Sequence, residues 1–136
     1  MLLQMSSWED IWTERMAELD VLQALQDKDF RKSFLWRTVG PAVSRQIKAL
    51  RLSRGLTQKQ VADGCGTKAP TVSRWENPAY GHTLSLTTLL KIAQFFDVGL
   101  VVRLCDWPTY LRWLEAIDSA PAPEPFTAES LQELTA

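Results

Sequence analysis

The chain has 136 residues, of which 46% are hydrophobic and 23% charged, with a net charge of −1. That length suits one domain with a real core and is short for two, and the composition is that of an ordinary globular protein. No stretch approaches the roughly 20 apolar residues that a membrane span needs, and two cysteines, Cys65 and Cys105, with a single His82 leave too few soft ligands for a structural zinc site.

The N-terminal stretch "MLLQMSSWEDIW" lacks the basic region and cleavage site of a signal peptide. The expectation is a reduced, cytoplasmic protein with two buried thiols, no metal, no cofactor and no membrane partner. Ser7 and Asp10 then resemble a capping box, and Trp8, Ile11, Trp12, Met16, Leu19 and Leu22 recur at spacings of three and four. This pattern predicts an amphipathic helix over about 7–26.

"QDKDF" interrupts that helix, and Asp29 can cap a second one with Phe30 and Phe34 on its apolar stripe. Gly40-Pro41 either ends it or forms the first turn of the next, because proline is tolerated at the first helical position. From Pro41 to Arg54 the stripe is Val43, Ile47 and Leu50, with Arg45, Lys48, Arg51 and Arg54 on other faces, and Gly55 supplies a stop. Thr57 caps a helix to about Asp63, and the turn Gly64-Cys65-Gly66 leads to another ending near Glu76. "NPAYGHT" reads as a loop, after which Ser85 caps a strongly apolar helix.

The period then changes. "VGLVVRLC", Val98 to Cys105, is rich in β-branched residues and predicts one strand without a partner strand in the chain. A lone strand leaves backbone polar groups unsatisfied, so the simplest partner is the same strand of a second copy, which predicts a two-fold dimer. Pro108 begins a further helix, "SAPAPEP" is a short linker, and "TAESLQEL" reads as a terminal helix or a frayed tail.

The charges are segregated. Residues 1–36 carry four Lys/Arg against seven Asp/Glu, residues 37–104 ten against three, and residues 105–136 one against six. A basic centre between acidic ends is expected where the middle touches a polyanion and the flanks do not.

Several positions in 57–76 agree on a helix–turn–helix. Ala62 is small where two helices cross, Gly66 suits positive φ, and Val61, Cys65, Val72 and Trp75 supply a shared core. With "IKALRLSRGLTQKQVA", "GTKAPTVSRWEN" and "LSLTTLLKIAQFFDV", the stretch Ser44 to Leu104 resembles the Cro/repressor-type, XRE-like transcriptional regulators. "LQDKDFRKSF" and "VVRL" look like a subgroup of them. The resemblance implies a mostly α, lambda-repressor-like domain of the five-helix type over 40–97. Around it lie an N-terminal helical extension (1–39), a strand and helix for dimerisation (98–118) and a proline-rich linker and tail (119–136).

Carried over by position, the resemblance places base reading at Lys68, Ala69, Pro70, Ser73 and Arg74. Lys68 and Arg74 are the donors suited to guanine O6 and N7, Arg74 through its bidentate fork, while Lys68 has a phosphate contact as its alternative. Gln58 falls at a phosphate-clamping position, where the helix N-terminus itself favours an anion. Asn77 falls at a second, or is a simple helix cap. Thr57, Arg54, Lys59 and Tyr80, with Arg45, Lys48, Lys91 and His82, are further candidates for the backbone. Arg51 and Glu76 are the implied structural ion pair. Val98, Leu100, Val101, Val102, Arg103, Leu104, Trp107 and Trp113 are the candidate dimer interface, the tryptophans alternatively packing the flanks onto the domain.

The function expected is a sequence-specific double-stranded DNA-binding regulator, a repressor acting as a homodimer on a palindromic operator. The alternative is an antitoxin or adaptor whose acidic, Trp-bearing flanks bind a partner protein. An enzyme is not expected, because the sequence offers no nucleophile–base set, no phosphate-binding glycine loop and no metal cluster.

Overall fold

The computed structural model describes residues 18–135. The expected N-terminal helix is observed over 18–24; its earlier part, with Trp8 and Trp12, lies outside the described residues. Asp27 rather than Asp29 starts the longest helix, its Oδ1 accepting from the backbone N–H of Asp29 at 2.8 Å and of Phe30 at 3.4 Å. This helix, α1, runs Lys28–Ser53 and passes straight through Gly40-Pro41. Proline removes one ladder bond and usually breaks a helix. Here burial on both sides of it, at Gly40, Ala42, Ser44, Ile47 and Leu50, overrides the local preference.

The chain divides into two units, one ending at Arg37 and the other beginning at Thr38. Within the first, Phe30 stacks on Phe34 at 5.9 Å, and the Arg31 guanidinium donates to the carbonyls of Leu25 and Gln26.

Within the second, α2 (Gln58–Cys65) and α3 (Ala69–Trp75) are separated by Gly66 in the left-handed region at φ 72°. A β-carbon is disfavoured there. Thr57 closes a full capping box with Gln60, so two otherwise unpaired N–H groups are satisfied reciprocally. A 3-10 turn, Pro78–Thr83, follows. Next comes α4, Leu86–Phe96, capped by Ser85 and closed by Asp97 at φ 56°. The core is built from Ile47 and Leu50 of α1, Val61 and Ala62 of α2, Val72 of α3, and Ile92 and Phe96 of α4. Burying the Val, Leu, Ile and Phe side chains among these stabilises by about 1.5–3 kcal/mol each before entropy is counted.

No strand forms among the described residues, which corrects the expected C-terminal β element. Gly99–Cys105 is irregular and donates no backbone–backbone hydrogen bond among the described residues. Its side chains stand largely in solvent, Val101 at 85% and Leu104 at 99% exposure. β-branched content favours extended backbone, but a ladder requires a second strand, and the described residues offer none. The thiols also differ from expectation: Cys105 is exposed and Cys65 half-buried, with burial pushing the Cys65 thiol up.

Asp106 caps α5 (Trp107–Ile117). Tyr110 is buried from this helix, its hydroxyl 2.6 Å from Thr38 Oγ1, and its ring contacts those of Trp107 and Trp113 at centroid distances of 5.3 and 5.6 Å. The chain then returns over the domain: Arg45 makes a two-point ion pair with Asp118, and Phe126 N–H donates to the Asp97 carbonyl at 2.9 Å. A second 3-10 turn, Ala128–Leu134, ends the described chain.

One core polar atom stands apart. Ser44 is fully buried and its hydroxyl has no hydrogen-bond partner among the described residues. A buried unpaired hydroxyl costs about 1–3 kcal/mol, and alanine is the better helix former. Ser44→Ala is therefore predicted to raise the unfolding free energy by about 1 kcal/mol in urea titration, while a loss of stability would show that the hydroxyl is satisfied.

Candidate nucleic-acid interface

The geometry of α3 begins with what it hides. Val72 is completely buried and Trp75 packs on the core, which turns Ser73 and Arg74 outward, both exposed. Lys68 is the N-cap of α3, makes no side-chain capping bond and is exposed. Ala69 and Pro70 form the first turn, where a missing N–H costs nothing because no intrahelical acceptor exists for it. The five expected base-reading residues thus lie at the start and along the outward side of one short helix.

Glu76 is the only carboxylate between Gly64 and Phe96, and left alone it would repel a phosphate backbone. Arg51 neutralises it, with Nε 2.6 Å from Oε2 and Nη2 2.9 Å from Oε1. A third guanidinium donor bonds the Leu56 carbonyl at 2.9 Å. The side chains of this pair are only 11% and 3% exposed. The hydrogen bond to Glu76 pushes the Arg51 value up against the opposing effect of burial, so the arginine remains cationic at any working pH. The pair forms as the resemblance implied.

Gln58 joins the same network, its Nε2 donating to Glu76 Oε1 at 3.3 Å. One carboxylate therefore ties α1, the first turn of α2 and the end of α3 together. The other phosphate candidates have varied surroundings. Lys59 pairs with Asp63 one turn on, both well exposed, a contact worth only tenths of a kcal/mol. Thr57 is engaged as the cap of α2. Asn77 accepts from Ala79 N–H and caps the following 3-10 turn. Lys48 and Lys91 are exposed.

Arg54 is directed into the protein. It donates to the Phe96 and Pro123 carbonyls at 3.2 and 3.0 Å and lies over the Phe96 ring. Arg45 is likewise joined to Asp118. These partners are more than forty residues away in sequence, and nothing local announces them.

The loop after α3 is held by a contact that the sequence reading did not find. A β-carbon on Gly40 of α1 would come within 2.6 Å of the His82 nitrogen, and one on Gly81 would meet the Gly40 backbone. The two glycines let helix and loop touch backbone to backbone. The only sequence signal was a glycine next to a proline inside a helical pattern, paired with a glycine in a loop.

Among the expected interface residues of the C-terminal segment, Leu100, Val101, Val102, Arg103 and Leu104 are exposed and Val98 is half-buried. Trp107 meets Tyr110 of its own chain edge to face, and Trp113 meets the same ring at a tilt. No described helix is long and apolar enough to cross a membrane.

A family model described as helix-turn-helix matches residues 47–102. No curated protein and no solved structure matches the chain.

Proposed function

We propose that this chain, a DNA-binding transcriptional regulator by its helix-turn-helix domain at 47–102, reads a specific duplex sequence through α3 and represses transcription as a homodimer on a two-fold symmetric operator. The observation that carries the reading is electrostatic. The one carboxylate of the α3 region is consumed by Arg51, leaving Lys68, Ser73 and Arg74 outward on a surface without unpaired negative charge. Lys68 and Arg74 supply donors for guanine, and Ala69 and Pro70 supply smooth apolar contact for thymine methyl groups. Gln58 and the N-terminus of α2 clamp a phosphate on one side, with Thr57, Lys59 and Asn77 at the backbone nearby. Arg54, occupied by two carbonyls, is left out of that set.

The exposed apolar side chains of Leu100, Val101, Val102 and Leu104 support self-association, since a monomer gains nothing by presenting four of them within five residues to water. In a two-fold dimer the two reading helices enter major grooves about one helical turn apart.

Selection from a random duplex pool, followed by binding measured against salt, tests the whole reading. A palindromic motif and a steep negative dependence of log affinity on log salt are predicted. Weak, salt-insensitive binding with no enriched motif would refute it.

A further inference from the structure

The Tyr80 ring lies against the arginine placed at the centre of base reading. The Arg74 guanidinium carbon sits 5.9 Å from the Tyr80 ring centroid, over the ring. No carboxylate or carbonyl pairs with Arg74 among the described residues. We infer that Tyr80 is a positioning residue for Arg74: its aromatic face, and not its hydroxyl, holds the guanidinium ready for a base edge and so sets specificity. This inference rests on the proposed reading of DNA by α3.

The chemistry of the two groups fits that task. A guanidinium attracted to a ring face keeps its N–H donors in its own plane, directed away from the ring, where a bidentate contact with guanine O6 and N7 is made. An exposed arginine on a flexible stem would otherwise have to be ordered at the moment of binding. A preset side chain loses less freedom then.

The loop is built to hold the ring still. Asn77 Oδ1 accepts from Ala79 N–H at 3.0 Å, Pro78 fixes one backbone angle, and Thr83 Oγ1 donates to the Tyr80 carbonyl at 2.7 Å. Gly81, the next residue, is pressed against Gly40 with no room for a β-carbon. Tyr80 is thereby anchored on both sides while the residue remains 46% exposed, an arrangement suited to a platform at a surface.

The test uses full-length protein and the duplex recovered by selection, with variants of that duplex at the base pair whose preference Arg74→Ala alters. Tyr80→Leu is predicted to reduce discrimination at that pair roughly two- to fivefold, the range an exposed cation–aromatic contact supports. Its melting temperature and its affinity for random duplex are predicted to be unchanged. Tyr80→Phe retains wild-type discrimination, and Tyr80→Leu adds nothing once Arg74 is alanine. If Tyr80→Phe instead weakens binding to all duplexes alike, the hydroxyl is a phosphate contact and the inference is overturned. It is overturned too if Tyr80→Leu leaves discrimination intact while Arg74→Ala abolishes it, and in that case the reading of DNA by α3 survives. If Arg74→Ala changes no base preference, that reading itself fails and the inference falls with it.

Discussion

Arg51→Ala is predicted to lower the unfolding free energy by roughly 3 kcal/mol, the low end of what removing one partner of a buried ion pair costs. The loss arises less from the missing attraction than from Glu76, which is left 6% exposed without a counter-charge. Only Gln58, at 3.3 Å, would remain as its side-chain donor, and a neutral amide cannot replace a guanidinium. The Leu56 carbonyl loses its donor as well. Denaturant titration checks the figure, and a loss below about 1 kcal/mol would show that water replaces the arginine. Replacing both partners by apolar residues of similar volume should recover most of the stability. It should not recover DNA binding, because Gln58 would then have lost the group that orients it.

Gly81→Ala is predicted to cost about 2 kcal/mol, within the range of overpacking a filled site. The added methyl meets the Gly40 backbone, and a helix backbone cannot swing aside as a side chain can. Gly66→Ala is the instructive comparison. Gly66 has φ 72° but open space where a β-carbon would go, so its cost is conformational alone and about 1 kcal/mol. Melting curves of the two variants separate these causes. The Gly81 change should also weaken DNA binding beyond its effect on folding, because it displaces the loop that carries Tyr80. A fully folded Gly81→Ala protein with unchanged affinity would show that this loop has no part in binding.

What was legible in the sequence was local. The Thr57–Gln60 capping box, the left-handed Gly66 and Gly55, and the burial of Val61, Ala62 and Val72 are each specified within a few residues. The Arg51–Glu76 pair spans 25 residues and was reached only through the family resemblance. The strand was misread for the opposite reason, since Val98 to Cys105 has the composition of a strand while pairing is a property of two segments. Gly40-Pro41 was misread as a boundary because its packing partner is a loop some forty residues on. The inward turn of Arg54, whose acceptors lie 42 and 69 residues away, has no local signature at all.

The contact between Gly40 and Gly81 also limits how this sequence can vary over time. In most packed pairs an enlargement on one side is tolerated when the other side shrinks, so the two positions drift together. Here both residues are already the smallest available. Neither can compensate for the other, and an accepted change at either position must be accompanied by a displacement of the main chain. Related sequences that share this helix-to-loop contact should therefore keep both glycines or lose both, a joint pattern that ordinary co-variation of residue size does not produce.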